Sequence, residues 1–214
     1  MRLQRIGIKL VLFSVIDGTL RVYSEQGNVP SLEWTGEKSL DQTVDELVRR
    51  IPGLATDQGY REQLYTFSST EVSPSAEVPL SGTKVGEYDV AIAYYVLLGE
   101  HKIPQSVRSR WIPYNAMTDS PDLVTITYAV QRLRWKIEYT NVVYSLLPAA
   151  FTLGQLQRVY EAILGKQVDK RNFRKKILSL GILKDTGKKK RTGRARPAEA
   201  YSFKKRTLSY VEVL

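Results

Sequence analysis

The residues best suited to chemistry in this chain are cations that surround one amide side chain, in the segment 170–176. Arginine can pair with guanine through two hydrogen bonds, asparagine can do the same with adenine, and lysine neutralises phosphates. The pattern predicts a helix that reads duplex DNA in a groove. The predicted contacts are Lys170, Arg171, Asn172, Arg174 and Lys175.

A second basic cluster follows in the glycine-containing run 186–197. Strand-like residues at 182–185 and 198–203 flank the run and predict a hairpin whose basic tip contacts phosphates or a minor groove. A solvated loop is the alternative. The predicted contacts are Lys188, Lys189, Lys190, Arg191, Arg194, Arg196 and Pro197.

The charge distribution separates two modules. The chain of 214 residues carries a net charge of +10, with 15 Lys+Arg against 17 Asp+Glu in residues 1–147 and 17 against 5 in residues 148–214. All the excess positive charge therefore lies in the last third, as in a polyanion-binding domain beside a near-neutral one. A basic tail without a partner is the alternative.

The remaining composition excludes several kinds of site. There is no cysteine, and His101 is the single histidine. Disulfides, cysteine zinc sites and histidine metal clusters are thus excluded, and a Ser-His-Asp triad is disfavoured. We expect no metal, no cofactor and no catalytic residue. Because no apolar run approaches the roughly 18 residues that span a bilayer, we expect a cytoplasmic, nucleoid-associated protein without membrane contact.

Two helices must position the basic groups. In 151–165, Thr152 and Gln155 form a predicted capping box, and Gly165 is a left-handed terminator. In 170–180, Asp169 is the predicted N-cap, with the apolar stripe on the side opposite the cations. Two helices joined by a short turn predict a helix-turn-helix. A basic surface helix packed on its neighbour is the alternative.

The first 147 residues have a mixed pattern. We predict strands at 5–16, 19–24, 63–67 and 89–98, and a helix over 39–51. Residues 68–87 have a loop composition. A further helix is expected to begin with Ser120 as N-cap and Pro121 at its first position. The fold class is α+β, with a domain boundary near residue 148.

One stretch of the chain carries a distinctive series of residues. The series comprises Arg132-Leu133-Arg134-Trp135-Lys136-Ile137-Glu138-Tyr139-Thr140, Leu146-Leu147-Pro148, Phe151-Thr152-Leu153, Leu156-Gln157, Tyr160-Glu161, Ile163-Leu164-Gly165, Asp169-Lys170-Arg171-Asn172-Phe173-Arg174-Lys175-Lys176-Ile177 and Arg196-Pro197-Ala198. In this series the chain closely resembles the Nudix-related transcriptional regulators of the NrtR type. Residues 62–67 and 93–95 resemble that family more weakly.

The resemblance implies a Nudix-like α/β/α sandwich over 1–147 and a winged helix-turn-helix domain over 148–214. It further implies a homodimeric repressor that binds a palindromic duplex operator, controls NAD metabolism genes, and senses ADP-ribose or a related phosphorylated or sugar metabolite.

The Nudix enzyme signature is degraded when this chain is set against it. Glu37, Glu46 and Leu47 match, whereas Arg49 and Arg50 replace the two metal-binding glutamates. Two cations cannot hold Mg²⁺, so the resemblance implies a sensor rather than an enzyme. Arg49 and Arg50 are candidates for binding an anionic effector, and solvated positions on a helix are the alternative.

Two other functions remain open from the sequence. The first is a Nudix-type pyrophosphohydrolase tethered to nucleic acid by its basic end. The second is an RNA-binding module, which a single basic helix with a wing favours less than duplex DNA.

Overall fold

The computed structural model describes residues 5–57, 59–68, 88–191 and 196–213. The chain divides into two compact units. The first comprises Met1–Ser14, Arg21–Leu98 and Lys102–Arg132, and the second comprises Val15–Leu20, Gly99–His101 and Leu133–Leu214. None of the described helices is long and apolar enough to cross a membrane. The predicted boundary at 147/148 stays a prediction.

A six-stranded mixed sheet is built on a buried central strand. Its strands are β1 (Ile6–Ile16), β2 (Thr19–Tyr23), β3 (Ser31–Glu33), β4 (Tyr60–Ser68), β5 (Val90–Leu97) and β6 (Trp111–Pro113). They run in the order β4-β5-β1-β2-β6, and β3 pairs with the beginning of β1. The pairing of β1 with β5 is parallel. Ten of the eleven residues of β1 are buried, as expected of a strand covered on both faces.

The first helix, α1 (Leu40–Arg49), forms where the sequence predicts it. Ser39 and Gln42 complete a capping box, and the stripe that includes Val44 and Leu47 is buried. The predicted strands β1, β2, β4 and β5 are likewise confirmed within a few residues of their bounds. The predicted loop is described only at Ser68, because its other residues, 69–87, lie outside the described part of the chain.

The second helix, α2 (Leu123–Tyr139), begins later than predicted. Ser120 and Pro121 precede it, and the Ser120 Oγ accepts a hydrogen bond from the Asp122 amide at 3.1 Å in the turn before the helix. The predicted cap is therefore wrong. Asp122 is buried instead, pairs with the Lys9 ammonium, and accepts a hydrogen bond from the Val29 amide at 2.9 Å. These long-range partners fix the position of the helix start.

The second unit contains α3 (Leu153–Leu164), α4 (Lys170–Ser179) and a three-stranded sheet. The strands are β7 (Phe151–Thr152), β8 (Leu183–Lys190) and β9 (Ala198–Phe203), in the order β7-β9-β8. Thr152 and Gln155 form the predicted capping box, and Gly165 has the left-handed φ of 70°. The buried rings of Tyr160 and Phe173 meet edge to face at 5.2 Å, which joins the two helices in one core.

The segment after β9 lies against the end of α2 and the residues that follow it. The amides of Val211 and Val213 donate to the carbonyls of Tyr139 and Glu138, at 2.9 and 2.8 Å. The Arg206 guanidinium donates to three carbonyls, those of Tyr144, Leu147 and Pro148. In the described residues, 3-10 helices occur at Glu100–Lys102, Gln105–Arg110, Tyr114–Ala116 and Val142–Ser145.

Candidate nucleic-acid interface

The orientation of α4 follows from its cap and its apolar stripe. The Asp169 carboxylate accepts a hydrogen bond from the backbone amide of Asn172 at 2.7 Å, so the helix begins at Lys170. Phe173 and Ile177 are buried, which turns the opposite face to solvent. Of the five residues predicted to contact DNA here, Lys170, Arg171, Asn172 and Lys175 are exposed, and Arg174 is half-buried.

Arg174 differs from its neighbours on α4. Its Nε is buried and has no hydrogen-bond partner among the described residues. A buried donor without an acceptor costs about 1–3 kcal/mol, more when the group is charged. The buried Nε of Arg174 therefore lacks a hydrogen-bond acceptor, which distinguishes this arginine from the exposed cations on the same helix.

The wing is the antiparallel hairpin of β8 and β9. The pairing runs from Leu183–Phe203 to Lys190–Ala198, with a register shift between Asp185 and Lys189. Gly187 takes a left-handed φ of 68° in this bulge, and its amide donates to the Asp185 carboxylate at 2.8 Å. Because β8 reaches Lys190, and does not end at 185 as predicted, the lysines of the run lie on the strand.

The predicted wing contacts differ in their accessibility. Lys190 is half-buried, and its ammonium donates to the Ala150 carbonyl at 2.9 Å. It holds the turn end of β8 against Ala150. Arg194 lies outside the described residues. The exposed members of the predicted set are Lys188, Lys189, Arg191, Arg196 and Pro197.

The two candidate effector residues lie at the end of α1, and both side chains are more than half exposed. Arg49 lies 3.9 Å from the Asp45 carboxylate, and Arg50 lies 2.8 Å from that of Glu46. Lys38 also pairs with Glu46 at 2.7 Å. Hydrogen bonds from Lys38 and then from Arg50 hold the pKa of Glu46 below its usual range.

The carboxylates of this helix are thus occupied by cations. Asp45 also accepts from the Arg61 guanidinium at 2.6 Å. The part of the chain that the structure describes contains no group of three or more side chains that could hold a metal ion. The charged side chains along α1 are therefore already paired with opposite charges.

The sequence did not single out Arg158 as a functional residue. This exposed arginine of α3 lines a cleft together with cations of α4 and of the wing. Its one sequence signal is its position between the apolar residues Leu156 and Val159, where a cation must point away from the core. The neighbours that it meets come from other elements, and the local pattern does not indicate them.

Comparisons with known proteins relate the C-terminal part of the chain to a domain family, and most of its length to a known repressor. Residues 143–203 match the family model of the NrtR DNA-binding winged helix domain. The ADPR responsive transcriptional repressor NtrR of Acinetobacter baylyi is 26% identical over 215 residues, which cover 92% of this chain and 80% of that protein.

Solved structures with a similar fold cover most of the chain. The crystal structure of Shewanella oneidensis NrtR complexed with a 27mer DNA aligns with a TM-score of 0.70 and 28% identity, over 93% of each chain. A MutT/nudix family protein from Enterococcus faecalis aligns with a TM-score of 0.65 over 95% of this chain and 89% of its own. At 16% identity, that second likeness concerns the fold alone.

Proposed function

We propose that this chain is a ligand-responsive transcriptional repressor. Its residues 143–203 match the NrtR DNA-binding winged helix domain, and the chain resembles NrtR along most of its length. The observation that carries the proposal is the outward face of α4, which offers Arg171, Asn172 and Lys175 beside a basic wing. In this assignment α4 enters the major groove and the wing contacts the flanking backbone.

The contacts divide by chemistry. Arg171 and Asn172 have the side chains that pair with guanine and adenine, so we assign them to base edges. Lys170, Lys175 and the exposed wing cations are assigned to phosphates, which fix the register without reading sequence. A homodimer would present two copies of α4 to a palindromic operator, with half-sites about 34–36 Å apart or a multiple of that spacing.

The first unit is proposed to be a non-catalytic Nudix-like sensor. The Acinetobacter relative is named for its response to ADPR, which supports ADP-ribose or a related phosphorylated or sugar metabolite as the effector here. Arg49 and Arg50 are candidates for binding its phosphates, in exchange for their present carboxylate partners. We expect no Mg²⁺-dependent hydrolysis of ADP-ribose, and a cytoplasmic location on the nucleoid.

Selection of bound fragments from genomic DNA by the purified full-length protein, with and without ADP-ribose, tests the function. The expected result is a palindrome that is lost when ADP-ribose is added. A palindrome indifferent to ADP-ribose would reject that effector and keep the regulator. If no duplex is enriched at moderate salt, the repressor assignment is wrong.

Arg171→Ala tests the base-reading assignment on the recovered site. We expect a loss of about 1–3 kcal/mol in operator binding and a relaxed preference at one base pair. Lys205→Ala is the control, because it removes an exposed cation of the same unit outside α4 and the wing. Equal losses on operator and random duplex would show that Arg171 contacts a phosphate instead.

A further inference from the structure

A basic cleft lies where α3, α4 and the two wing strands meet. Its volume is about 340 Å³. Five cationic side chains and one carboxylate line it, a formal net charge of +4. The charged lining residues are Arg158, Glu161, Lys170, Arg174, Lys190 and Arg196.

The carboxylate in this cleft has a structural task. The Glu161 Oε1 accepts hydrogen bonds from the Gln157 Nε2 at 3.0 Å and from the Val168 amide at 3.2 Å. It thereby holds the turn between α3 and α4, and with it the position of Lys170 against α3. One carboxylate cannot neutralise five cations, so the cleft keeps an excess of positive charge.

Two features of the cleft can offer hydrogen bonds to an anion: the Arg174 side chain and the first turn of α3. The Nε of Arg174 is buried and has no partner among the described residues. Gly154, at the second position of α3, also lines the cleft and has no side chain to close it. The amides of a first helical turn have no intrahelical carbonyl to bind, and here the Thr152 hydroxyl accepts from the Gln155 amide. The start of α3 therefore adds its positive dipole end to the cations.

We propose that this cleft binds one backbone phosphate of duplex DNA, with Arg158 and Arg174 as its principal ligands. The occupant is a DNA phosphate because the cleft shares cations with the two elements that the proposed function places on DNA: Lys170 comes from α4 and Arg196 from the wing. A phosphate held there belongs to the strand beside the groove that α4 enters. The inference rests on the proposed function and assigns Arg174, one of the predicted DNA contacts, to phosphate binding.

The test compares Arg158→Ala with Lys205→Ala in the full-length protein. Arg158 is exposed, so its replacement leaves the core intact. Binding to a random-sequence duplex is measured between 50 and 200 mM salt. Each phosphate contact contributes about 0.9 to the slope of log K against log salt. Over this fourfold range of salt, one contact therefore changes the binding constant by about 3.5-fold. We expect the slope to be smaller by about 0.9 for Arg158→Ala, and to be unchanged for Lys205→Ala.

The outcomes separate the two proposals. If the unaltered protein binds no duplex, the proposed function fails first. If the unaltered protein binds and Arg158→Ala keeps the slope of Lys205→Ala, the cleft does not hold a DNA phosphate. Titration with inorganic phosphate tests whether the cleft is instead a site for the free ion. In that case Arg158→Ala would lose phosphate binding while the salt slope of DNA binding stayed unchanged, and that result would also overturn the proposal.

Discussion

The buried pair of Lys9 and Asp122 allows a quantitative test of how the first unit is held together. Their side chains are only 4% and 5% exposed. Lys9 lies on β1 and Asp122 directly precedes α2, while the second carboxylate oxygen binds the Val29 amide. The Asp122 carboxylate therefore joins the central strand, the segment before β3 and the start of α2, through one ion pair and one hydrogen bond.

Replacing one partner should be far more costly than replacing both. Lys9→Met keeps most of the side-chain volume but leaves the Asp122 carboxylate buried without a counterion, which costs about 3–5 kcal/mol. The double variant Lys9→Met/Asp122→Leu removes both charges. It leaves the Val29 amide without its acceptor, and the remaining cost should be about 1–3 kcal/mol.

Urea unfolding followed by tryptophan fluorescence measures these differences, because Trp34 and the buried Trp111 belong to the same unit as the pair. Arg5→Met is the matched control: it removes the pair with Glu33, whose side chains are 43% and 48% exposed, and should cost about 0–1 kcal/mol. If Lys9→Met cost no more than Arg5→Met, or if the double variant were the least stable of all, the reasoning from desolvation would be refuted.

Three further predictions concern the second unit. Lys189→Ala should reduce the salt slope for random duplex by about 0.9, and an unchanged slope would remove Lys189 from the DNA contacts. Thr152→Ala should lower the free energy of unfolding by about 1 kcal/mol in urea, whereas Thr152→Ser should retain the cap; equal losses would contradict the capping role. Burial raises the pKa of the Tyr160 phenol, so its stabilisation is present below the unfolded pKa of about 10 and is lost as the pH rises above it. Tyr160→Phe should lose less stability between pH 9 and 11 than the unaltered chain, and parallel losses would refute this.

Local signals predicted the second unit well. The caps of α3 and α4 depend on residues within four positions of each other, such as Thr152 with Gln155 and Asp169 with Asn172. The apolar stripes are equally local, since a buried residue recurs at every turn. These features are present in the sequence itself, so the helices, their ends and the basic face of α4 could be assigned before the structure was known.

Distant partners determine what the sequence did not predict. The start of α2 follows from Asp122, whose partner Lys9 lies 113 residues earlier. The short strand β6 exists because it pairs with β2, at Tyr23–Trp111 and its neighbours. The cleft around Arg158 likewise needs three elements to come together. In each case the decisive contact is absent from the local pattern, and periodicity carries no information about it.

The parallel pairing of β1 with β5 has a consequence for how the protein is made. Ile6 pairs with Val90 and Phe13 with Leu97, so the central strand of the sheet is synthesised long before this parallel neighbour. Parallel pairs of this sequence separation close slowly, and unpaired apolar strands associate with other chains. While the ribosome extends the chain toward β5, β1 can already pair with β2 and β3, but its edge toward β5 stays open and is an aggregation hazard.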